Sequence, residues 1–149
     1  MAKTVQQWLD EYGESHQNPI NKAIHWLCVP LIMISLIGLL WPINLVSNIN
    51  LGVFLIAFAT IYYLSMSFKM FLGMAFVGFG LVSCVNYLDS FSSPLWQISL
   101  SIFILAWIGQ FIGHKIEGKK PSFLKDIQFL LIGPAWLLGF IYKKNNIKI

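Results

Sequence analysis

Four stretches of the chain run almost without polar interruption for roughly the twenty residues that a helix needs to cross the hydrocarbon core of a bilayer. They cover residues 26–43, 51–68, 70–88 and 95–113. Between the first two, Trp41-Pro42 leads into Asn44, Ser47, Asn48 and Asn50; between the last two, Asp89-Ser90 leads into Ser92-Ser93-Pro94. The second and third meet at Lys69, which predicts a very short connection. A fifth apolar run, residues 127–142, is shorter and carries Gly133-Pro134 at its middle. Proline there removes a helical hydrogen bond and biases the preceding residue out of the helical region. The pattern predicts an all-α fold, a polytopic transmembrane helix bundle of four full spans. The fifth apolar segment is expected to be broken at Gly133-Pro134 and to be re-entrant or interfacial.

Ahead of the first span the pattern changes. Val5, Trp8, Leu9 and Tyr12 share one face of a short amphipathic helix over residues 5–12. Asn18-Pro19 then reads as an N-cap followed by proline at the first helical position, so a helix starts at Pro19 and runs into the first span, with a kink expected at Pro30. Residues 1–17 are polar and amphipathic, and no cleaved signal peptide is expected. The whole, 1–149, is read as one integral membrane domain. It comprises a polar cytoplasmic segment (1–25), four spans (26–113), a basic cytoplasmic loop (114–126), the broken apolar segment (127–142) and a basic tail (143–149).

Charge placement decides the orientation. Only 11% of the residues are charged against 57% hydrophobic, far from the quarter charged of an ordinary soluble domain. No Asp, Glu or Lys lies between Lys22 and Lys69, and only Asp89 between Lys69 and Lys115. The net charge of +4 comes from lysines flanking the apolar runs, chiefly Lys115, Lys119, Lys120, Lys143, Lys144 and Lys148. Lysines so placed face anionic headgroups and mark the cytoplasmic side, so they are not read as a nucleic-acid surface. Loop and tail both belong to the cytoplasm, hence four spans and cytoplasmic termini; the alternative is a fifth true span over 127–142, because charge bias in a short tail can be overridden. The short, all-lysine chain points to a bacterial inner membrane, or to the endoplasmic reticulum in a eukaryote. Cys28 and Cys84 sit in apolar runs without metal-type spacing and read as small fillers.

The chain has three histidines, His16, His25 and His114. His25 opens the first span and His114 closes the fourth, so four spans return both to one membrane face, where His16 also lies. Asn18, Asn21 and His25 share a helical face at i, i+3 and i+7. Gln110, His114 and Glu117 do so at i, i+4 and i+7 if the fourth helix outruns the membrane. Gly109 and Gly113 flank that face and permit close approach of another helix. Imidazoles with a carboxylate and open positions suit non-haem iron and would also suit zinc. Three histidines with Glu117 would make one mononuclear site. In Glu117-Gly118-Lys119-Lys120-Pro121, either lysine could hold the carboxylate of an acyl substrate, or the loop is a solvated anchor to headgroups. Phe54, Phe58, Met66, Met70 and Met74 serve packing and lipid contact, or line an acyl-chain groove.

Two blocks carry a family resemblance. Tyr12, His16, Asn18-Pro19, Asn21-Lys22, His25 and Pro30 form the first. The run WIGQFIGH over 107–114, followed by Glu117-Gly118-Lys119-Lys120-Pro121, forms the second, and Gly133-Pro134 adds to them. Together they resemble the signatures of the membrane 2-hydroxy fatty acid dioxygenase family, over nearly the whole chain. The resemblance implies an Fe(2+)-dependent enzyme of fatty acid alpha-oxidation, using O2 to shorten long-chain 2-hydroxy fatty acids by one carbon. It implies His16, His25 and His114 as iron ligands and Glu117 as a fourth ligand or a group orienting an imidazole, with Asn21 and Gln110 as orienting partners. The alternatives from other classes are a non-enzymatic lipid-binding or scaffold protein and a zinc-dependent lipid hydrolase.

Overall fold

The computed structural model describes residues 3–46, 49–121 and 128–149. Among them are α1 (Val5–Gly13), α2 (Pro19–Leu40), α3 (Leu51–Met66), α4 (Phe68–Asp89), α5 (Leu95–Glu117) and α6 (Phe129–Lys144). The one departure from all-α is a small antiparallel ribbon, β1 (Asn44–Val46) with β2 (Ile49–Asn50), in the stretch expected to be a loop. Helices α2, α4 and α5 are long and apolar enough to cross a membrane, and α3 is a shorter apolar helix. These three long helices mark the chain as an integral membrane protein. The basic loop was expected over 114–126; its part from residue 122 lies outside the described residues, as does the start of the fifth apolar run at 127.

Local chemistry explains the helix ends. Thr4 and Gln7 form a capping box, the Thr4 hydroxyl accepting the Gln7 N–H at 3.2 Å and the Gln7 side chain accepting the Thr4 N–H at 2.8 Å. The Asn18 side chain accepts the Ile20 N–H at 2.9 Å, with Pro19 at the first helical position, as expected. Helix α2 then continues through Pro30 to Leu40. Helix α5 ends at Gly118, whose φ of 72° is the left-handed conformation that favours glycine at a helix terminus.

Contacts order the bundle. A Cβ on Gly113 would lie 2.4 Å from Asn21 Oδ1, and one on Gly38 would lie 2.1 Å from Ser99 Oγ. Low numbers on α2 therefore face high numbers on α5: the two run antiparallel and bring the start of α2 beside the end of α5. Ile56 and Gly78, each eleven residues from Ser67, also meet, so α3 and α4 are antiparallel. Their connection is the single extended residue Ser67 (φ −165°). The break thus comes two residues before Lys69, and the expected spans 51–68 and 70–88 become Leu51–Met66 and Phe68–Asp89. The charge of Lys69 was the boundary cue, but a turn follows backbone geometry, and the lysine already belongs to α4.

The fifth apolar segment corrects a second expectation. It is not broken at Gly133-Pro134: α6 runs as one helix through Pro134. Glycine before the proline has no Cβ to clash with the ring, which lowers the local penalty. The Tyr63 hydroxyl donates to the Leu131 carbonyl at 2.6 Å, a tie from α3 to the turn before Pro134. Packing on α1 holds the helix, with Trp8 and Phe129 rings 5.7 Å apart. At the other end, the Tyr142 hydroxyl donates to the Lys69 carbonyl at 2.5 Å.

Candidate metal centre

Three elements converge where α1 hands over to α2. His16 lies in the connection, held by its backbone N–H to the Gly13 carbonyl at 3.0 Å. His25 is in the second turn of α2, and His114 is one turn from the end of α5. All three are buried, at 0%, 1% and 5% exposure. Their candidate ligand nitrogens all lie within 4.8 Å of one another. The expected convergence of the three histidines is what the fold delivers.

The hydrogen bonds around the rings identify the usable atoms. His16 Nδ1 lies 2.6 Å from the Tyr12 carbonyl and His25 Nδ1 lies 2.9 Å from the Asn21 carbonyl. A carbonyl can only accept, so each Nδ1 carries the proton and each Nε2 of a neutral ring keeps a lone pair. Those two Nε2 atoms face each other at 2.9 Å. Burial pushes the His16 imidazole down to about 3, so that ring is neutral across the physiological range. Two acceptors at this distance repel unless a cation lies between them.

Other polar atoms nearby also lack partners. His114 Nδ1, Gln110 Nε2 and Asn21 Oδ1 are buried without a hydrogen-bond partner among the described residues. Each such group costs about 1–3 kcal/mol, so the cluster costs several kcal/mol as it stands. Ligation of a divalent metal contributes on the order of 10 kcal/mol in small structural sites, enough to offset that. His16 and His25, with their Nδ1 atoms held by carbonyls, show the arrangement that metal-ligating histidines adopt.

Glu117 lies beside this cluster and is tied to the connection before α2. Its Oε1 accepts the Gln17 backbone N–H at 2.8 Å, and its Oε2 accepts the Asn18 backbone N–H at 2.8 Å and Asn21 Nδ2 at 3.1 Å. The carboxylate clamps the connection that carries His16 onto the end of α5. Asn21 thereby serves twice, its carbonyl on His25 and its amide on Glu117. Lys119 Nζ donates to the Glu14 carbonyl at 2.6 Å, a second tie at the rim, while Lys120 is exposed beside it.

Aromatic rings close the site. Tyr12 stacks on His16 with ring centroids 4.2 Å apart, and Trp136 of α6 lies 5.2 Å from His16 and 5.4 Å from Tyr12. Burial raises the Tyr12 phenol above its ordinary value, so it stays protonated. Gln110 and His114 open onto a cavity of about 60 Å³, walled further by Ile32, Met33, Leu130 and Pro134. Trp136 had no visible role in the sequence; its position two residues after Pro134 was the one available signal, and it carries no distance information.

Comparisons with known proteins point to one family. The family model described as 2-hydroxy-palmitic acid dioxygenase Mpo1-like matches residues 2–145. The chain is 27% identical over 142 residues to the 2-hydroxy-palmitic acid dioxygenase MPO1 of Saccharomyces cerevisiae, covering 89% of this chain and 76% of that protein. No solved structure matches.

Proposed function

This chain belongs to the Mpo1-like 2-hydroxy-palmitic acid dioxygenase family, and from that premise we propose that it is an iron(II)-dependent dioxygenase of fatty acid alpha-oxidation. Its substrates are long-chain 2-hydroxy fatty acids and O2, and its product is the fatty acid one carbon shorter. The observation that carries the proposal is the buried pair of Nε2 lone pairs on His16 and His25, with His114 beside them.

The residues fit a metal, and His16, His25 and His114 would hold it. Bound iron(II) supplies the one-electron chemistry that lets O2 react with an organic substrate; zinc has no redox chemistry and would not support a dioxygenase. The protein's own part is positioning. The Tyr12 and Asn21 carbonyls keep the Nδ1 protons in place, which aims the Nε2 lone pairs. Glu117 fixes the connection bearing His16 and is assigned here to orienting the ligands rather than to ligation. Gln110 presents an amide N–H donor beside the cavity, suited to a hydroxyl or carboxylate oxygen of the substrate. Tyr12 and Trp136 exclude water. The ammonium groups of Lys119 and Lys120 are exposed at the rim, which supports a role in attracting the incoming carboxylate.

The proposed membrane disposition follows. Helices α2, α4 and α5 span. Helix α3, at 16 residues, is about 24 Å long and spans with slight bilayer thinning. Helix α6 lies along α1 on the histidine side, an interfacial element that returns the tail to the cytoplasm, where Lys69 donates to the Lys148 carbonyl at 2.5 Å. The membrane is a bacterial inner membrane, or the endoplasmic reticulum in a eukaryote.

The test is incubation of iron(II)-loaded protein with 2-hydroxypalmitic acid and O2, read by mass spectrometry. Formation of the acid one carbon shorter, dependent on both iron and O2, is expected. Iron-loaded protein that leaves the hydroxy acid untouched would overturn the proposal.

A further inference from the structure

Next to the histidine cavity lies a second, larger space of about 340 Å³ between α2, α3, α4 and α6. The two share three wall residues, Met33, Leu130 and Pro134. The floor of the larger space is buried, formed by Ile37, Tyr63, Met74 and Leu81, whereas its rim at Phe58 is exposed where α3 faces the bilayer. Its hydroxyls are already used: Thr60 donates to the Ile56 carbonyl at 2.7 Å and Tyr63 to the Leu131 carbonyl at 2.6 Å. Apart from Gln128 at one end, the rest of the lining is apolar. From Met74 to Leu81 the groove extends about 10 Å at helical rise.

We propose that this groove holds the alkyl tail of the substrate and measures its length. The proposal rests on the dioxygenase reading for the identity of the head group. The tail enters past Met33, Leu130 and Pro134, passes Ala59 and Tyr63, and ends against Ile37, Ile56 and Leu81. Adjacency to the cavity containing His114 and Gln110, across the shared wall of Met33, Leu130 and Pro134, favours a single acyl chain tethered there over a bilayer lipid lying loosely on the surface. Burying such a tail against fixed walls stabilises each added methylene until the groove is full. Ala59 is the gate midway, because α3 offers only a methyl group at that point.

Two measurements test the groove in full-length protein in nanodiscs. In the first, 2-hydroxypalmitic acid carrying a photoreactive diazirine at its terminal carbon is crosslinked to wild-type protein and the adducts mapped by mass spectrometry. Adducts at Ile37, Ile56 or Leu81 are expected. Adducts scattered over bilayer-facing Phe76, Phe79 and Leu105 would overturn the proposal. In the second, Ala59→Phe is loaded with iron and assayed on 2-hydroxypalmitic and 2-hydroxyoctanoic acids. The kcat/KM ratio is expected to shift about tenfold or more toward the shorter acid, with iron content unchanged. An unchanged ratio in the iron-loaded variant would count against the groove. The crosslinking result needs no turnover, so groove adducts in a protein that consumes no hydroxy acid would sink the reaction and leave the groove standing.

Discussion

Glu117 accepts the backbone N–H of Gln17 across one hundred residues of sequence, at 2.8 Å. With the matching bond from Asn18, this carboxylate fastens the segment bearing His16 to the helix bearing His114. The three-histidine cluster is thus held together by a contact between segments about a hundred residues apart.

Replacing Glu117 by Gln keeps one of the two accepting oxygens, sets an NH2 donor against the other backbone N–H, and removes the charge that strengthens these bonds. The expected outcome is retained metal with affinity lowered about 10–100-fold, the usual effect of losing a group that orients ligands, and faster amide exchange at Gln17 and Asn18. Complete loss of metal, equal to that in a histidine variant, would instead make Glu117 a ligand.

Gly113 permits the approach of α2 to α5 at the level of the histidines. Gly113→Val places carbon where Asn21 Oδ1 now lies, 2.4 Å from the Cβ position. The cost expected is about 1–3 kcal/mol of overpacking, seen as a lower Tm and weaker metal binding. An unchanged Tm would show that the helices have room to spare.

The metal-free protein should lose stability in mild acid. Folded His16 titrates at about 3 because it is buried, whereas the unfolded chain binds a proton below the ordinary value of about 6.5. Between those values the unfolded state holds more protons, so stability falls as pH drops from 6.5 toward 3, by up to about 1.4 kcal/mol per pH unit from this residue. Thermal unfolding of metal-free wild type and His16→Ala at pH 7 and pH 5 checks this. The wild type should lose more Tm than the variant; equal losses would refute the assignment.

Tyr63→Phe should weaken the seat of α6, since the hydroxyl that ties α3 to the Leu131 carbonyl is lost. About 1 kcal/mol is expected, with faster exchange in the Phe129–Lys144 helix and little change in α2 or α5. Equal exchange throughout the bundle in variant and wild type would show the bond to be dispensable.

Much of this site was legible from spacing. Asn18-Pro19 announced the start of α2, and the apolar run lengths carried His25 and His114 to one face. The glycines at 109 and 113 marked the seam between their helices. What escaped is non-local. Glu117 sits three residues from His114, a ligand-like interval, yet its partners are backbone N–H groups about a hundred residues away. No periodicity reports those. Gly133-Pro134 obeys a local rule for breaking helices, and tertiary support from Tyr63 and α1 overrides it. Ser67 turns the chain without any charge or proline to advertise it. Trp136 reaches His16 only because α6 stays continuous.

Iron held by His16, His25 and His114, as proposed, is read directly from the metal content of detergent-purified protein loaded anaerobically with iron(II), measured by mass spectrometry beside His114→Ala. About one iron per chain, one mononuclear site, is predicted for the wild type and is lost in the variant. Wild-type protein that takes up no iron, takes up only zinc, or yields the same iron content as His114→Ala would contradict the account.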